Sequence, residues 1–174
     1  KGEKLNMKRF TAVLAALVLL LALAGCAVES NTNLYQSKDG DWSIMIPKEF
    51  VKDKEESNEQ LKSNTVSFRT ESESFLAINE IVDEKLEISE EKLKEELGED
   101  HYLKILKYET IDIKGIGKAY GAMLTDEATG MAMMYYRLKH KDKAVSFIFY
   151  RQAGFSAEQE AKSKAMIGTF KGLK

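Results

Sequence analysis

One cysteine, two histidines and one proline are all that the 174 residues contain of those types. A single thiol cannot close an intrachain disulfide, and thiolate metal sites need several. His101 and His140 fall on different predicted elements, so they do not build an imidazole metal site, and both read as solvated surface side chains. An excess of positive charge is missing too: 26 basic residues face 28 acidic ones, a formal charge of −2. Nucleic-acid binding needs a basic stripe to release counterions, so that class of partner is set aside. Catalytic signatures are also lacking. There is no Gly-x-Ser-x-Gly, and Ser89-Glu90-Glu91-Lys92 has neither Ser-Asp-Asn nor Lys-Thr-Gly to accompany it. Gly115-Ile116-Gly117-Lys118 lacks phosphate-loop spacing and precedes a strand rather than a helix. Asp39-Gly40-Asp41 lacks the acidic periodicity of a calcium loop and reads as a turn. The expectation is a non-enzymatic chain with no cofactor and no metal.

The sequence contains one long apolar run. Lys8 and Arg9 form a positive start after Met7, Phe10 to Ala24 are apolar apart from Thr11, and Leu23-Ala24-Gly25-Cys26 closes the segment. This stretch resembles a bacterial lipoprotein signal peptide with its lipobox. The resemblance implies cleavage before Cys26 and a diacylglyceryl group on its thiol. Residues 1–6 then read as an upstream extension, 7–25 as the signal peptide, 26–33 as lipidated cysteine and tether, and 34–174 as the folded domain. Seven tether residues reach at most roughly 25 Å. Two alternatives stay open: an uncleaved span, for which the run is barely long enough, and a plain secretory signal. The positive start of a span would also leave the domain extracytoplasmic. From Cys26 onward 22 basic residues stand against 27 acidic ones, without a polybasic patch to hold an anionic membrane. The lipid is therefore the expected membrane determinant, at the extracytoplasmic face of the cell membrane.

Beyond the tether, Leu34-Tyr35, a turn at Lys38 to Asp41, and Trp42 to Pro47 read as a hairpin. Trp42, Ile44 and Ile46 share one strand face, and Pro47, which cannot donate to a ladder, ends it. Lys48 to Asn64 is charged and weakly patterned; it reads as a loop or frayed helix, with helix favoured because so long a structureless loop is uncommon. Val66 to Thr70 and Phe75 to Val82 read as strands. Ser89 caps a helix whose Leu93 and Leu97 face inward and which Gly98 stops. Ile105 to Ile113, Lys118 to Thr125, Met131 to Lys139 and Ala144 to Arg151 form a meander of strands. Ser156 with Gln159 makes a capping box for a last helix. In that helix Ala157, Ala161, Ala165 and Gly168 predict a small-residue stripe for close approach to the sheet, with Met166, Ile167 and Phe170 adding bulk. The fold class is α+β, a central antiparallel sheet sandwiched by helices.

Tyr35, Asp39-Gly40, Trp42-Ser43-Ile44, Ile46-Pro47 and Phe50 resemble the opening of the PsbP-like superfamily. The Ser89 helix, the Gly115 turn, the Val145 to Tyr150 strand and the Phe155-Ser156 helix start follow its order. The resemblance covers Leu34 to Lys174 and rests on structural motifs. It implies an antiparallel sheet between helices. The superfamily includes an extrinsic photosystem subunit, a Ran-binding nuclear protein and many bacterial envelope lipoproteins, so it implies a binding or accessory module without catalytic residues to carry over.

Other residue groups have ordinary readings beside sharper ones. Met123, Met131, Met133 and Met134 suit core packing, although thioethers also suit copper(I). Glu90, Glu91, Glu95, Glu96, Glu99 and Asp100, with Lys92 and Lys94 between, read as a solvated face or an acidic patch for a basic partner. Tyr135, Tyr136, Phe147 and Phe149 form the candidate interaction surface if one sheet face is left uncovered. The functional expectation is docking on an envelope protein assembly; the alternative is small-ligand or metal capture in a pocket between sheet and helices.

Overall fold

The computed structural model describes residues 31–71, 74–83, 85–99 and 102–173. The chain divides into two units, Lys1–Asn33 and Leu34–Lys174. Cys26 and Leu23, Ala24 and Gly25 lie outside the described residues, as do Asp100 and His101. Among the described residues no helix is long and apolar enough to cross a membrane.

Ten strands and two helices are described: β1 (Thr32–Gln36), β2 (Trp42–Pro47), β3 (Val51–Asn58), β4 (Ser63–Arg69), β5 (Phe75–Val82), α1 (Glu90–Gly98), β6 (Leu103–Ile113), β7 (Gly117–Asp126), β8 (Ala132–His140), β9 (Lys143–Arg151), α2 (Ala157–Gly168) and β10 (Lys171–Gly172). Seven strands form one sheet in the order β3-β4-β5-β9-β8-β7-β6, and β1-β2-β10 form a small second sheet. All six pairings of the large sheet, and that of β2 with β10, are antiparallel. The meander from β6 to β9 is therefore as the sequence predicts, and β9 then returns beside β5.

Alternation along β9 divides the large sheet into two faces. Val145, Phe147 and Phe149 point to the core face, with Leu76 and Ile78 of β5, Met134, Tyr136 and Leu138 of β8, and Val66 and Phe68 of β4. Trp42, Ile44 and Ile46 of β2 close over them with Met166, Ile167 and Phe170. The Phe170 ring organises this layer. It stacks on Trp42 at 5.3 Å between centroids and meets Phe147 edge-on at 6.1 Å, and Tyr35 lies 5.8 Å from Trp42. Offset and edge-on arrangements of this kind suit the ring quadrupoles.

The two helices reach β6 from opposite sides. Lys107 pairs with Glu160 of α2 at 2.7 Å, and Glu109 with Lys164, whereas the intervening Tyr108 meets Lys94 of α1 at 5.2 Å. Successive strand residues point to opposite faces, so α2 lies on the core face and α1 on the other. On the core face α2 shares the cover with the small β-sheet, a second layer that the helix-only expectation did not contain.

Both caps are as read from the sequence. Ser89 Oγ accepts from the Lys92 N–H at 3.2 Å, and Ser156 with Gln159 forms the full capping box. Gly98 is the last residue of α1 rather than a left-handed stop, and Glu99 caps it in right-handed conformation.

Two expectations are corrected. Lys48 to Asn64 contains no helix: Val51–Asn58 is the edge strand β3, exposed along its whole length. Partnership with β4 makes it a strand. Arg69 holds Asp53 at 2.9 Å, Asn64 donates to Glu55 at 3.2 Å, and Ser57 donates to Asn64 at 2.8 Å. Its alternating charges also discourage a further strand from pairing at the open edge. Phe50 packs on the core, but Val51 and Leu61 are 68% and 67% exposed. The second correction concerns α2. Ala157, Ala161, Ala165 and Gly168 face solvent, and Met166 and Ile167 make the buried contact. Bulk rather than close approach joins this helix to the sheet, because apolar area buried per side chain favours Met and Ile.

Candidate functional site

The most concentrated polar cluster lies where the β1–β2 turn meets the β8–β9 turn. Gly40 adopts φ 77° there, which its lack of a Cβ allows at no steric cost. Asp39 and Asp41 on either side turn back to Lys143, whose Nζ pairs with Asp39, with Asp41 at 2.9 Å and with Glu80 at 3.2 Å. Lys141 holds the other oxygen of Asp41 at 2.8 Å, and Trp42 Nε1 donates to Glu80 at 2.5 Å. Burial works against the Lys143 charge, but hydrogen bonds to Asp39 and Asp41 outweigh it and hold the ammonium above the ordinary lysine range. Hydrogen bonds from Lys141 and Lys143 pull the Asp41 carboxyl down to about 2. Each carboxylate is engaged by a cation, so the cluster is a clamp between turns and leaves no free base.

His140 belongs to the same corner. Its Nε2 lies 3.1 Å from the Asp41 carbonyl oxygen and its ring meets Phe170 edge-on at 5.7 Å. The solvated-surface reading of His140 is thereby corrected: the ring is a half-buried wedge under the small sheet. Lys143 and Glu80 escaped the sequence reading. Each is a charge at a buried position of an otherwise apolar strand, and that mismatch was the available signal.

The candidate interaction residues separate. Tyr136, Phe147 and Phe149 lie on the core face and are sealed there. They form no surface, because the small sheet and α2 cover them. Tyr135 points to the outer face, 9% exposed, and lies 3.3 Å from Ser146 Oγ. The four methionines separate likewise. Met123 and Met134 are cross-strand partners in the core, and Met133 points to the opposite side of β8 from Met134. The acidic helix is largely paired: Glu90 with Lys94, Glu95 with Lys92, and Glu96 with Arg137 at 2.6 Å. Ser89 of the Ser-x-x-Lys spacing is occupied as a helix cap.

The outer face offers what those residues do not. α1 lies over β6 to β8, burying Leu93 and drawing Arg137 to Glu96. Beyond it one row of side chains crosses the sheet in register: Arg69, Phe75, Tyr150 and Met133. Phe75 and Tyr150 lie 5.7 Å apart, and the Arg69 guanidinium stands 6.0 Å over the Phe75 ring. Phe75, Tyr150, Met133 and Ile148 of the adjacent row are all partly exposed. Two open depressions of about 320 and 300 Å³ meet at Phe75.

A tighter cleft of about 120 Å³ opens at the same end of the sheet, between the end of β2, α2 and the ends of β5 and β9. Phe50, Phe75, Tyr150 and Phe155 wall it, and Arg151 and Ser74 stand among its polar residues. It lies between sheet and helix, where the alternative functional expectation puts a pocket, but at about 120 Å³ it is smaller than the several hundred Å³ usual for a small-ligand site.

Neither a protein-family model nor any curated protein sequence matches the chain. Solved structures do match in shape. The solution structure of cyanobacterial PsbP from Synechocystis sp. PCC 6803 aligns with a TM-score of 0.52 at 11% identity, over 82% of this chain and 93% of that one. The Ran-binding protein Mog1p of Saccharomyces cerevisiae aligns with 0.52 at 9% identity, over 83% and 96%. The chain has the PsbP/Mog1 fold. A crystal structure from Bacteroides thetaiotaomicron aligns with 0.51 at 16% identity, over 83% of this chain but 49% of that longer one. Within the PsbP/Mog1 fold, the Tyr35, Asp39-Gly40 and Trp42 signature has a physical meaning here. The turn clamps Lys143, and the two rings seal the core.

Proposed function

We propose that this chain is an extracytoplasmic lipoprotein, anchored by a lipid on Cys26, whose PsbP/Mog1-fold domain is a non-enzymatic binding or accessory module for an envelope protein assembly. The observation that carries the docking role is the partly exposed Phe75, Ile148, Tyr150 and Met133 band on a sheet face that α1 covers only over β6 to β8. Aromatic and Met side chains are enriched where proteins meet. Such a band selects a partner with an apolar centre. That Mog1p is by name a Ran-binding protein supports a binding role for the fold. The Leu23-Ala24-Gly25-Cys26 pattern supports the anchor.

The test is photo-crosslinking in native membranes from position 148, which lies on the band but outside the cleft, with the exposed position 118 at the start of β7, away from the band, as control. A protein neighbour captured from 148 and not from 118 is expected; recovery of none from either sinks the docking role. Replacing Cys26 with Ser is expected to release a folded domain from the membrane. An uncleaved product that stays membrane-bound points instead to a transmembrane anchor.

A second reading, capture of a small ligand, is favoured by the 120 Å³ cleft. Its size suits one ring or branched chain, since a 150 Å³ apolar cavity holds a benzene.

A further inference from the structure

Three arginines lie among the described residues, and they differ in one respect. Arg69 holds Asp53 at 2.9 Å and Arg137 holds Glu96 at 2.6 Å. Arg151 is half-buried, yet among the described residues its guanidinium has only the Ser74 hydroxyl, at 3.5 Å, and no carboxylate within 4 Å. Taking a guanidinium partly out of water without a counter-charge is costly, and a planar fork of donors is shaped for a carboxylate. Glu49, the one acidic residue lining the cleft, is exposed and out of ion-pair reach of it. Lys162, the other cation there, is engaged by Glu158 at 3.0 Å.

Arg151 stands at a cleft walled in part by aromatic rings. Phe50, Phe75, Tyr150 and Phe155 surround a space of about 120 Å³ that is open at one side. An apolar group of one-residue size therefore fits within, and its charge would meet Arg151. A phosphate or a dicarboxylate matches less well, because the described lining supplies a single uncommitted cation.

We propose that this cleft is a binding site for a monocarboxylate carried on an apolar group the size of a Leu or Phe side chain, with Arg151 as the carboxylate receptor. The proposal rests on the ligand-capture reading above. Two sources share this chemistry: a free small organic acid and the C-terminal residue of a polypeptide.

The test uses the full chain in detergent, titrated with 3-phenylpropionate and followed by amide NMR shifts. The controls are 3-phenylpropan-1-ol, which keeps the ring and loses the charge, and an acetylated Gly-Gly-Phe peptide with free or amidated C-terminus. Saturable shifts centred on Ser74 and Arg151 are expected, with the alcohol at least tenfold weaker. Arg151→Gln should weaken binding at least tenfold, whereas Arg69→Gln leaves it unchanged. Ser163→Leu, which fills the cleft from α2 and leaves Arg151 in place, should also abolish binding. Tighter binding of the free-carboxylate peptide than of the small acid assigns the site to a polypeptide terminus; the reverse assigns it to a free acid. Equal binding of alcohol and acid, binding by Arg151→Gln within twofold of the parent, or no saturable shift from any probe overturns the proposal. Crosslinking is read from position 148, on the band but outside the cleft lining, so the two readings fail separately.

Discussion

On the core face of β9, Val145, Phe147 and Phe149 are sealed, while on the outer face Ile148 and Tyr150 of the same strand remain partly open. The side chains are comparable in size and hydrophobicity, so intrinsic preference does not separate them. Their covers do. The core face carries a second layer whose Trp42, Ile44, Ile46 and Phe170 interdigitate with the sheet, fixed at one corner by the Lys143 clamp and over β6 by the Lys107, Glu109, Glu160 and Lys164 pairs. The outer face carries one nine-residue helix with a single fully buried side chain, Leu93. A two-sided sheet with one complete lid has its stability concentrated on one side and its free apolar surface on the other.

That contrast can be broken most sharply at Trp42. Truncation to Ala removes the ring that stacks on Phe170 and leaves Glu80 without the indole donor. A loss of about 3–5 kcal/mol is expected, as for large aromatics in close-packed cores. Tyr150→Ala on the outer face should cost only about 1 kcal/mol. Urea denaturation of the two variants measures the difference, and equal losses would show that the outer face is as fully packed as the core.

A smaller effect is expected at Gly121 of β7, where the Tyr136 ring lies against the strand. A Cβ there would collide with the ring and lie 2.6 Å from the Tyr135 carbonyl oxygen. Neither neighbour is a flexible chain end, so Gly121→Ala should cost about 1–3 kcal/mol by overpacking. A variant as stable as the parent in the same denaturation experiment would mean that the Tyr136 ring has room to move.

The smallest effect is a graded acid sensitivity of the core-face cover. Asp41 is held at about 2 by Lys141 and Lys143. For Asp39 and Glu109 burial raises the pKa, but the hydrogen bonds and charges around them, led by Lys143 and Ser37 at Asp39 and by Lys164 and Tyr136 at Glu109, together outweigh it and the net shift is downward. A carboxyl depressed in the folded state contributes stability that is fully present above its unfolded value, 3.8 for Asp41, and is lost as pH falls toward the folded value. Fluorescence of Trp42, the sole tryptophan, should therefore change between about pH 4 and pH 2. Asp41→Asn should reduce the pH dependence across that window. An unchanged acid profile would remove the clamp from the account of stability.

Much of the architecture was legible in the residues because it is decided locally. The Asp39-Gly40 turn needs only a residue that tolerates positive φ, and Ser89 and Ser156 cap helices within three residues of themselves. Alternation along β5, β8 and β9 likewise says which side chains share a face. It does not say which face acquires a lid. That is why Tyr136, Phe147 and Phe149 read as a surface and turned out to be core. β3 was missed for a related reason: an edge strand's pairing is supplied by β4, and its own sequence carries charge rather than a period. The small-residue stripe of α2 misled because small residues permit close approach without requiring it.

The amino-acid sequence by itself determined the local features: turns, caps, strand periods and the run ending at Cys26. Only the tertiary structure decided that Lys143 is buried between three carboxylates, that Arg151 meets none among the described residues, and that the apolar row at Phe75 and Tyr150 stays open. Each of these depends on which segments, distant along the chain, finally pack together. Burial and charge pairing belong to that assembly and not to any one segment.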